Sequence, residues 1–248
     1  MPMPDASVWV IIPAAGVGKR MRANRPKQYL ELHQKTVLEH TLDCFLGCEQ
    51  IAGIVVAVSE DDGWWPELAK SLTGLPVFSA PGGQERADSV LNALQYLTDK
   101  LGAAARDAAV LVHDAARPCL SRRDLHLMLA AVEHYAQCGA LLAVPVRDTM
   151  KRAQANGGAV SLVAHTEERE GLWHALTPQI AALPVLRQAL SEALERGVNV
   201  TDEASALEYA SLAPRLLEGE ASNIKITRPA DLALAEFFLK QHLQEEEA

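Results

Sequence analysis

No apolar run in the sequence reaches the roughly 18 residues of a membrane-spanning helix. No secretory leader pattern opens the chain either. The four cysteines, Cys44, Cys48, Cys119 and Cys138, include no C-x-x-C pair, which removes the usual metal-site spacing. They read as buried thiols of a reducing cytosol, so a cytoplasmic location is expected. Positive charge is not in excess: a net charge of −9 and a pI near 5.4 argue against broad binding to nucleic acid or an anionic membrane. Repeats and low-complexity segments are absent, and no Ser–His–Asp or Cys–His arrangement offers a protein nucleophile.

What is present is a globular composition of 248 residues, long enough for one sizeable core, and residues 1–248 read as one domain. Apolar, β-branched runs at Val8–Ile12, Ile54–Val58, Pro76–Ser79, Ala109–His113 and Ala140–Val146 predict strands. Between them, helical periodicity covers Thr36–Gly47, Trp64–Leu72, Asp88–Leu101 and Leu125–Ala136, with Ser121 as an N-cap. This alternation predicts an α/β fold, a doubly wound and mostly parallel sheet with helices on both faces. Its ligand belongs outside the carboxyl ends of the strands. Further on, Trp173–Gln179 reads as extended, Pro184–Arg196 as a helix ended by Gly197, and Asp202–Ala210 as a helix capped by Thr201. Leu216–Glu218 and Asn223–Thr227 read as short strands, and Pro229 opens the last helix.

At about 147–166 the pattern changes to two strand-like segments around Asn156-Gly157-Gly158, a hairpin turn signal. A hairpin inserted in a doubly wound domain leaves edges that need cover. It reads as an arm packed on a second copy of the chain; the other arrangement folds it back on its own domain.

The first strand stops at Pro13, and Ala14, Ala15, Gly16 and Gly18 follow with almost no side-chain bulk. Lys19, Arg20, Arg22, Arg25 and Lys27 come next, within nine residues. Bare backbone beside concentrated cations suits a phosphate. The stretch matches neither the P-loop pattern, because Pro13 and Arg20 occupy its Gly and hydroxyl positions, nor G-x-G-x-x-G, which fails at Met21. The plain alternative is a strand–helix turn with a basic first turn. Cations there cost a few tenths of a kcal/mol unless an anion answers them.

Past the Ala109–His113 strand stand Asp114 and Arg117. Mg²⁺ is commonly held by one or two carboxylates plus phosphates and water, which suits Asp114, while Arg117 can take a second phosphate bidentately. A local Asp–Arg pair is the plain alternative, and His113 reads as a packed strand residue. Gly82–Gly83 with Ser89 offers backbone and a hydroxyl to a flat base, or else a simple turn with a helix cap. In Ile224-Lys225-Ile226, two core-facing isoleucines would aim Lys225 the other way, toward the cleft; a solvated strand lysine is the plain alternative. Arg147, Thr149, Lys151 and Arg169 make the arm region cationic, and Trp64, Trp65 and Trp173 read as packing.

Taken in order, Pro13-Ala-Ala-Gly-x-Gly-x-Arg20-Met, Pro26-Lys27-Gln28, Gly82-Gly83-x-x-Arg86-x-x-Ser89, His113-Asp-Ala-Ala-Arg117-Pro118, Asp148-Thr149, Leu176-Thr177-Pro178-Gln179, Thr201-Asp-Glu-Ala-Ser205 and Asn223-Ile-Lys225-x-Thr227 resemble the bacterial 2-C-methyl-D-erythritol 4-phosphate cytidylyltransferases. The resemblance runs from about Trp9 to Phe238 and implies a Rossmann-like nucleotidyltransferase fold. It implies that CTP and methylerythritol phosphate react, with Mg²⁺, to give the cytidine diphosphate derivative and pyrophosphate in non-mevalonate isoprenoid synthesis. A homodimer with crossed β-arms is implied as well. By motif position, Pro13, Ala14, Ala15, Gly16 and Gly18 would hold the triphosphate, and Arg20 and Lys27 would stabilise the transition state. Gly83 and Ser89 would recognise cytidine, and Asp114 would order the metal. Arg117, Thr149, Arg169, Thr177 and Lys225 would handle the methylerythritol phosphate, with Thr149 and Arg169 donated by the partner chain. Position 19 is Lys, and the resemblance also admits Arg there, a difference that keeps the charge. The chain stops soon after the last helix, so the fused cyclodiphosphate synthase domain of some relatives is not expected. Another polyol phosphate such as ribitol phosphate, another NTP, and a catalytically silent nucleotide-binding protein remain as alternatives; Arg20, Lys27, Asp114 and Lys225 together speak against the last.

Overall fold

The computed structural model describes residues 7–16, 25–154 and 161–246. The expectations for Gly18, Lys19, Arg20 and Arg22, and for the turn at residues 156–158, lie outside the described residues.

Strand β1 (Val8–Pro13) sits inside a sheet because it is apolar on both faces. Val8, Val10 and Ile12 enter one core cluster and Trp9 and Ile11 the other. The strand is followed by a short 3-10 turn over Lys27–Tyr29 and a small ladder of β2 (Glu31–Leu32) and β3 (Lys35–Thr36). Helix α1 (Val37–Asp43) starts at a reciprocal cap: the Thr36 hydroxyl accepts from the Glu39 N–H, and the Glu39 carboxylate accepts from the Thr36 N–H. Such a cap stabilises by about 1 kcal/mol. Then come β4 (Ile51–Val58), α2 (Trp65–Ser71), β5 (Val77–Pro81), α3 (Arg86–Leu101), β6 (Ala109–Val112), α4 (Arg122–Tyr135) and β7 (Ala140–Pro145). Ser121 caps α4 as expected, accepting from the Asp124 N–H at 3.2 Å.

After β7 the chain leaves the sheet through β8 (Lys151–Ala153) and β9 (Val163–Thr166), an antiparallel pair exposed along its whole length. It returns as β10 (Trp173–Ala182), followed by α5 (Leu183–Glu195), α6 (Glu203–Tyr209), β11 (Arg215–Glu218) and α7 (Pro229–Glu246). Among the described residues the main sheet has the order β11-β7-β10-β6-β1-β4-β5. Its ladders are parallel except those of β10, which runs against both β6 and β7. The expected mostly parallel α/β sheet is therefore present.

One face is covered by α1, α2 and α4, through residues such as Leu38, Leu42, Trp65, Leu125 and Met128. The other is covered by α3, α5 and α6, through Val90, Leu94, Leu97, Leu186, Leu190 and Leu207. Each such side chain stabilises by about 1.5–3 kcal/mol when fully buried, which is what holds the strand ends of the rim in register. A third cluster ties α7 to Leu32, Val37, Ala116 and Ile226.

Some local expectations change. The cap of α6 is Asp202, not Thr201, because the Asp202 carboxylate accepts from the Ser205 N–H at 3.0 Å and Ser205 answers it. Residues 223–227 form no strand: Ile226 N–H bonds singly to the Ala116 carbonyl at 2.8 Å, and no ladder continues from it. Of the cysteines only Cys119 is fully buried; Cys44, Cys48 and Cys138 are half-buried, and all four are free thiols. Trp65 packs as expected, but Trp64 is 46% exposed, stacking on Tyr29 at 6.1 Å beneath the Arg25 guanidinium.

Candidate active site

The carboxyl ends of β1, β5 and β6 bring three short loops together. Ala14 N–H extends the β1–β4 ladder to the Ala57 carbonyl at 2.8 Å, and its own carbonyl accepts from the buried Gln28 amide at 2.7 Å. The loop after β5 comes alongside, with Gly82 N–H on the Val58 carbonyl at 2.7 Å. A Cβ on Gly82 would lie 2.3 Å from that of Ala15, and one on Gly83 would lie 2.2 Å from that of Asp88. Only bare backbone allows these loops to touch. Ser89 closes the turn, accepting from the Gly83 N–H at 2.9 Å and donating to the Glu85 carbonyl at 3.2 Å.

Beside these loops lies Asp114, just past β6. Its Oδ1 accepts from Arg86 Nε at 2.9 Å, and its Oδ2 meets Lys225 Nζ at 2.8 Å and Arg117 Nε at 3.3 Å. Burial pushes the Asp114 carboxyl upward, but Arg86, Lys225 and Arg117 together outweigh it and hold the group well below the usual carboxylate range. It is therefore ionised at every physiological pH. Lys225 takes the position that the alternation around it anticipates: Ile226 is fully buried, and the lysine points the other way, into the cleft.

The chain behind Asp114 is fixed by a buried network. The Arg117 carbonyl can only accept, so His113 Nε2, 3.0 Å away, carries the proton. Nδ1 then accepts from the Thr177 hydroxyl at 3.0 Å, and the same oxygen accepts the Asp114 N–H at 3.1 Å. Burial lowers His113 to about 4, so it stays neutral near pH 7. Thr177 reaches this rim because β10 runs antiparallel, and its ladder with β7 is interrupted between Ala175 and Gln179. Arg117 itself is buried, giving a 2.7 Å bond to the Asn223 carbonyl.

The resulting cleft is open to solvent, with a cavity volume of about 230 Å³. Pro13, Ala14, Ala15, Gly16, Lys27, Gly83, Ser89, Asp114 and Lys225, all singled out in the sequence, line it together. Lys27 Nζ is held against the Ile226 carbonyl at 3.1 Å. Arg117 and Thr177 sit behind the wall, contacting Asp114. Thr149 and Arg169 are not in the lining: both are exposed at the base of the arm, where Arg169 donates to the Arg147 carbonyl.

Among the described residues no cluster of three or more His, Cys, Asp or Glu could cage a metal. Asp114, ionised and on the cleft wall, fits as one ligand of a cation whose other ligands are phosphates and water. The three cations around it do not suit a divalent ion arriving alone.

Two residues went unassigned in the sequence. Arg86, on the cleft wall, forms a fork on Glu203, with Nη1–Oε1 at 2.6 Å and Nη2–Oε2 at 3.0 Å. Both occur in the runs quoted above, but nothing local pairs residues 117 positions apart.

Residues 8–241 match the family model for 2-C-methyl-D-erythritol 4-phosphate cytidylyltransferase. The protein of that name from Vibrio atlanticus (strain LGP32) is 51% identical over 237 residues, covering 95% of this chain and 97% of its own. That of Pseudomonas entomophila (strain L48) is 53% identical over 224 residues, covering 90% and 92%. A crystal structure of a 4-diphosphocytidyl-2C-methyl-D-erythritol synthase superposes with a TM-score of 0.80 at 37% identity, over 94% of this chain and 98% of that one.

Proposed function

This chain belongs to the 2-C-methyl-D-erythritol 4-phosphate cytidylyltransferase family, and from that premise we propose that it transfers CMP from CTP to 2-C-methyl-D-erythritol 4-phosphate. The products are 4-diphosphocytidyl-2-C-methyl-D-erythritol and pyrophosphate, made for isoprenoid precursor synthesis. The observation that carries the reading is the convergence of two bare-backbone loops, Lys27, Lys225 and an obligatorily ionised Asp114 on one cleft.

The chemistry asks little of a protein nucleophile. The attacking phosphate oxygen is already ionised near neutral pH, so the protein must align it with the α-phosphorus, opposite the departing pyrophosphate, and meet the growing charge. The Pro13–Gly16 loop with Gly18 receives the triphosphate, and the Gly83 turn closed by Ser89 faces the cytidine. Arg20 and Lys27 stabilise the transition state. Lys225 aligns the methylerythritol phosphate, with Arg117 and Thr177 fixing the wall behind it. Asp114 would hold Mg²⁺ together with the nucleotide, and the bound ion would supply neutralisation of phosphate charge. Thr149 and Arg169 act on the second substrate of a neighbouring chain, in a cytoplasmic homodimer whose β8–β9 arms cross. The whole chain works as one nucleotidyltransferase domain with the arm inserted.

Pyrophosphate release with each NTP, against methylerythritol and ribitol phosphates, with and without Mg²⁺, tests this reading. The expected result is release only from CTP with methylerythritol phosphate and Mg²⁺. Faster turnover of ribitol phosphate would move the enzyme to another substrate, and no release from any pair would end the enzyme reading.

A further inference from the structure

Glu203 stands outside the cleft, at the first residue of α6, with its side chain 2% exposed. Its carboxylate meets a guanidinium that does line the cleft: Arg86, the first residue of α3. An arginine has five N–H donors in a fixed plane. Here Nε is bound to Asp114 Oδ1, and each Nη is bound to one Glu203 oxygen, at 2.9, 2.6 and 3.0 Å. Two-point contact on one side and one-point contact on the other leave the plane no freedom to rotate. A guanidinium free to move in a cleft that receives phosphates would pair with them bidentately, because the geometries match. It would then leave Asp114 without its Oδ1 partner.

We propose that Glu203 is a positioning residue: by gripping Arg86 from behind, it withholds that guanidinium from the nucleotide phosphates and keeps it on Asp114. This inference rests on the cytidylyltransferase reading, and it assigns a task to residues that the reading itself does not use. The consequence is a split in kinetics. Releasing Arg86 strengthens, or leaves unchanged, the binding of CTP in the ground state, while the carboxylate that must stay in place during transfer loses its Oδ1 partner and keeps only the Lys225 and Arg117 contacts on Oδ2.

The test is a cycle of Glu203→Gln and the charge-free double variant Arg86→Met/Glu203→Met, with kcat, the KM for CTP and the thermal midpoint measured for each. A buried ion pair replaced whole by apolar side chains is often tolerated, so the double variant checks folding independently of the lone buried charge. The expected result for Glu203→Gln is kcat lower by about 10–100-fold, as for other supporting shells, with the KM for CTP not raised. The double variant regains the parental midpoint but not the parental kcat. A kcat within twofold of the parent in either variant overturns the proposal, as does a raised KM with unchanged kcat. Loss of the fold in both also overturns it, since the pair would then be only a tie between α3 and α6. If the parent itself releases no pyrophosphate from CTP and methylerythritol phosphate, the functional reading is what fails.

Discussion

The cleft and the arm handle charge in opposite ways. In the cleft, the described cations that contact Asp114 are answered inside the same chain: Arg86 by Glu203, Lys225 and Arg117 by Asp114 itself. In the arm, the ion pair of Arg152 with Glu167, at 2.6 Å, lies in solvent, and Leu162 and Val163 beside it are 59% and 58% exposed. The first arrangement is complete in one chain and intolerant of loss. The second presents apolar surface that no described residue of the chain covers, which fits the crossed-arm dimer proposed above.

The sharpest way to break this contrast is Asp114→Ala. It leaves Arg86, Arg117 and Lys225 facing one another, and removing one partner of a buried pair typically costs about 3–5 kcal/mol. The denaturation midpoint should fall accordingly, and a variant as stable as the parent would show that the cluster is not electrostatically closed. Lys27→Ala should leave stability largely intact and reduce kcat by about 10²–10³-fold; steady-state rates within twofold of the parent would remove its role. The same variant probes the arm. Mixed with Arg169→Ala chains, it should form heterodimers that regain part of the activity, whereas verified heterodimers that stay inactive would place Arg169 in its own chain's site.

A smaller effect follows from pH. His113 titrates near 4 when folded, against an ordinary 6.5. Between those values the unfolded chain binds the extra proton, so stability contributed by neutral His113 is present above 6.5 and lost as pH falls toward 4, by about 3 kcal/mol in all. The depressed Asp114 carboxyl acts in a separate window, where stability is lost below its ordinary 3.8. Unfolding curves of His113→Gln should show a flatter slope between pH 6.5 and 4 and the same fall below it; an unchanged slope would exclude His113 as the source. Least of all should come from Arg152→Ala in the arm, since exposed ion pairs contribute little. Its thermal midpoint should match the parent's, and a clear drop would mean that the pair is shielded.

The cleft was more legible in the sequence than the links behind it. Strand and loop chemistry is local: an apolar run ended by Pro13, small residues after it, and alternation around Lys225 each speak for their own neighbourhood. The Arg86–Glu203 fork is not local: the two residues stand 117 positions apart, at the starts of different helices. Thr201 and Asp202 are both good caps, and only the Ser205 geometry chooses between them. Residues 223–227 carry a strand pattern, but strand character needs a paired neighbour, and the backbone there meets the Ala116 carbonyl and the Arg117 guanidinium instead. The antiparallel course of β10 was equally hidden, because an apolar run does not state its direction.

That course has a consequence for how the chain can vary. Strands β7 and β10 are neighbours, with Pro145 opposite Trp173 and the Val146 N–H on the Leu172 carbonyl at 2.9 Å. Everything between them is, topologically, one long loop closing a two-strand turn. Closing such a loop costs more only with the logarithm of its length, about 0.6 kcal/mol per doubling. The excursion is therefore a modular appendage: it can be lengthened, trimmed or exchanged for a relative's without re-threading any strand of the main sheet.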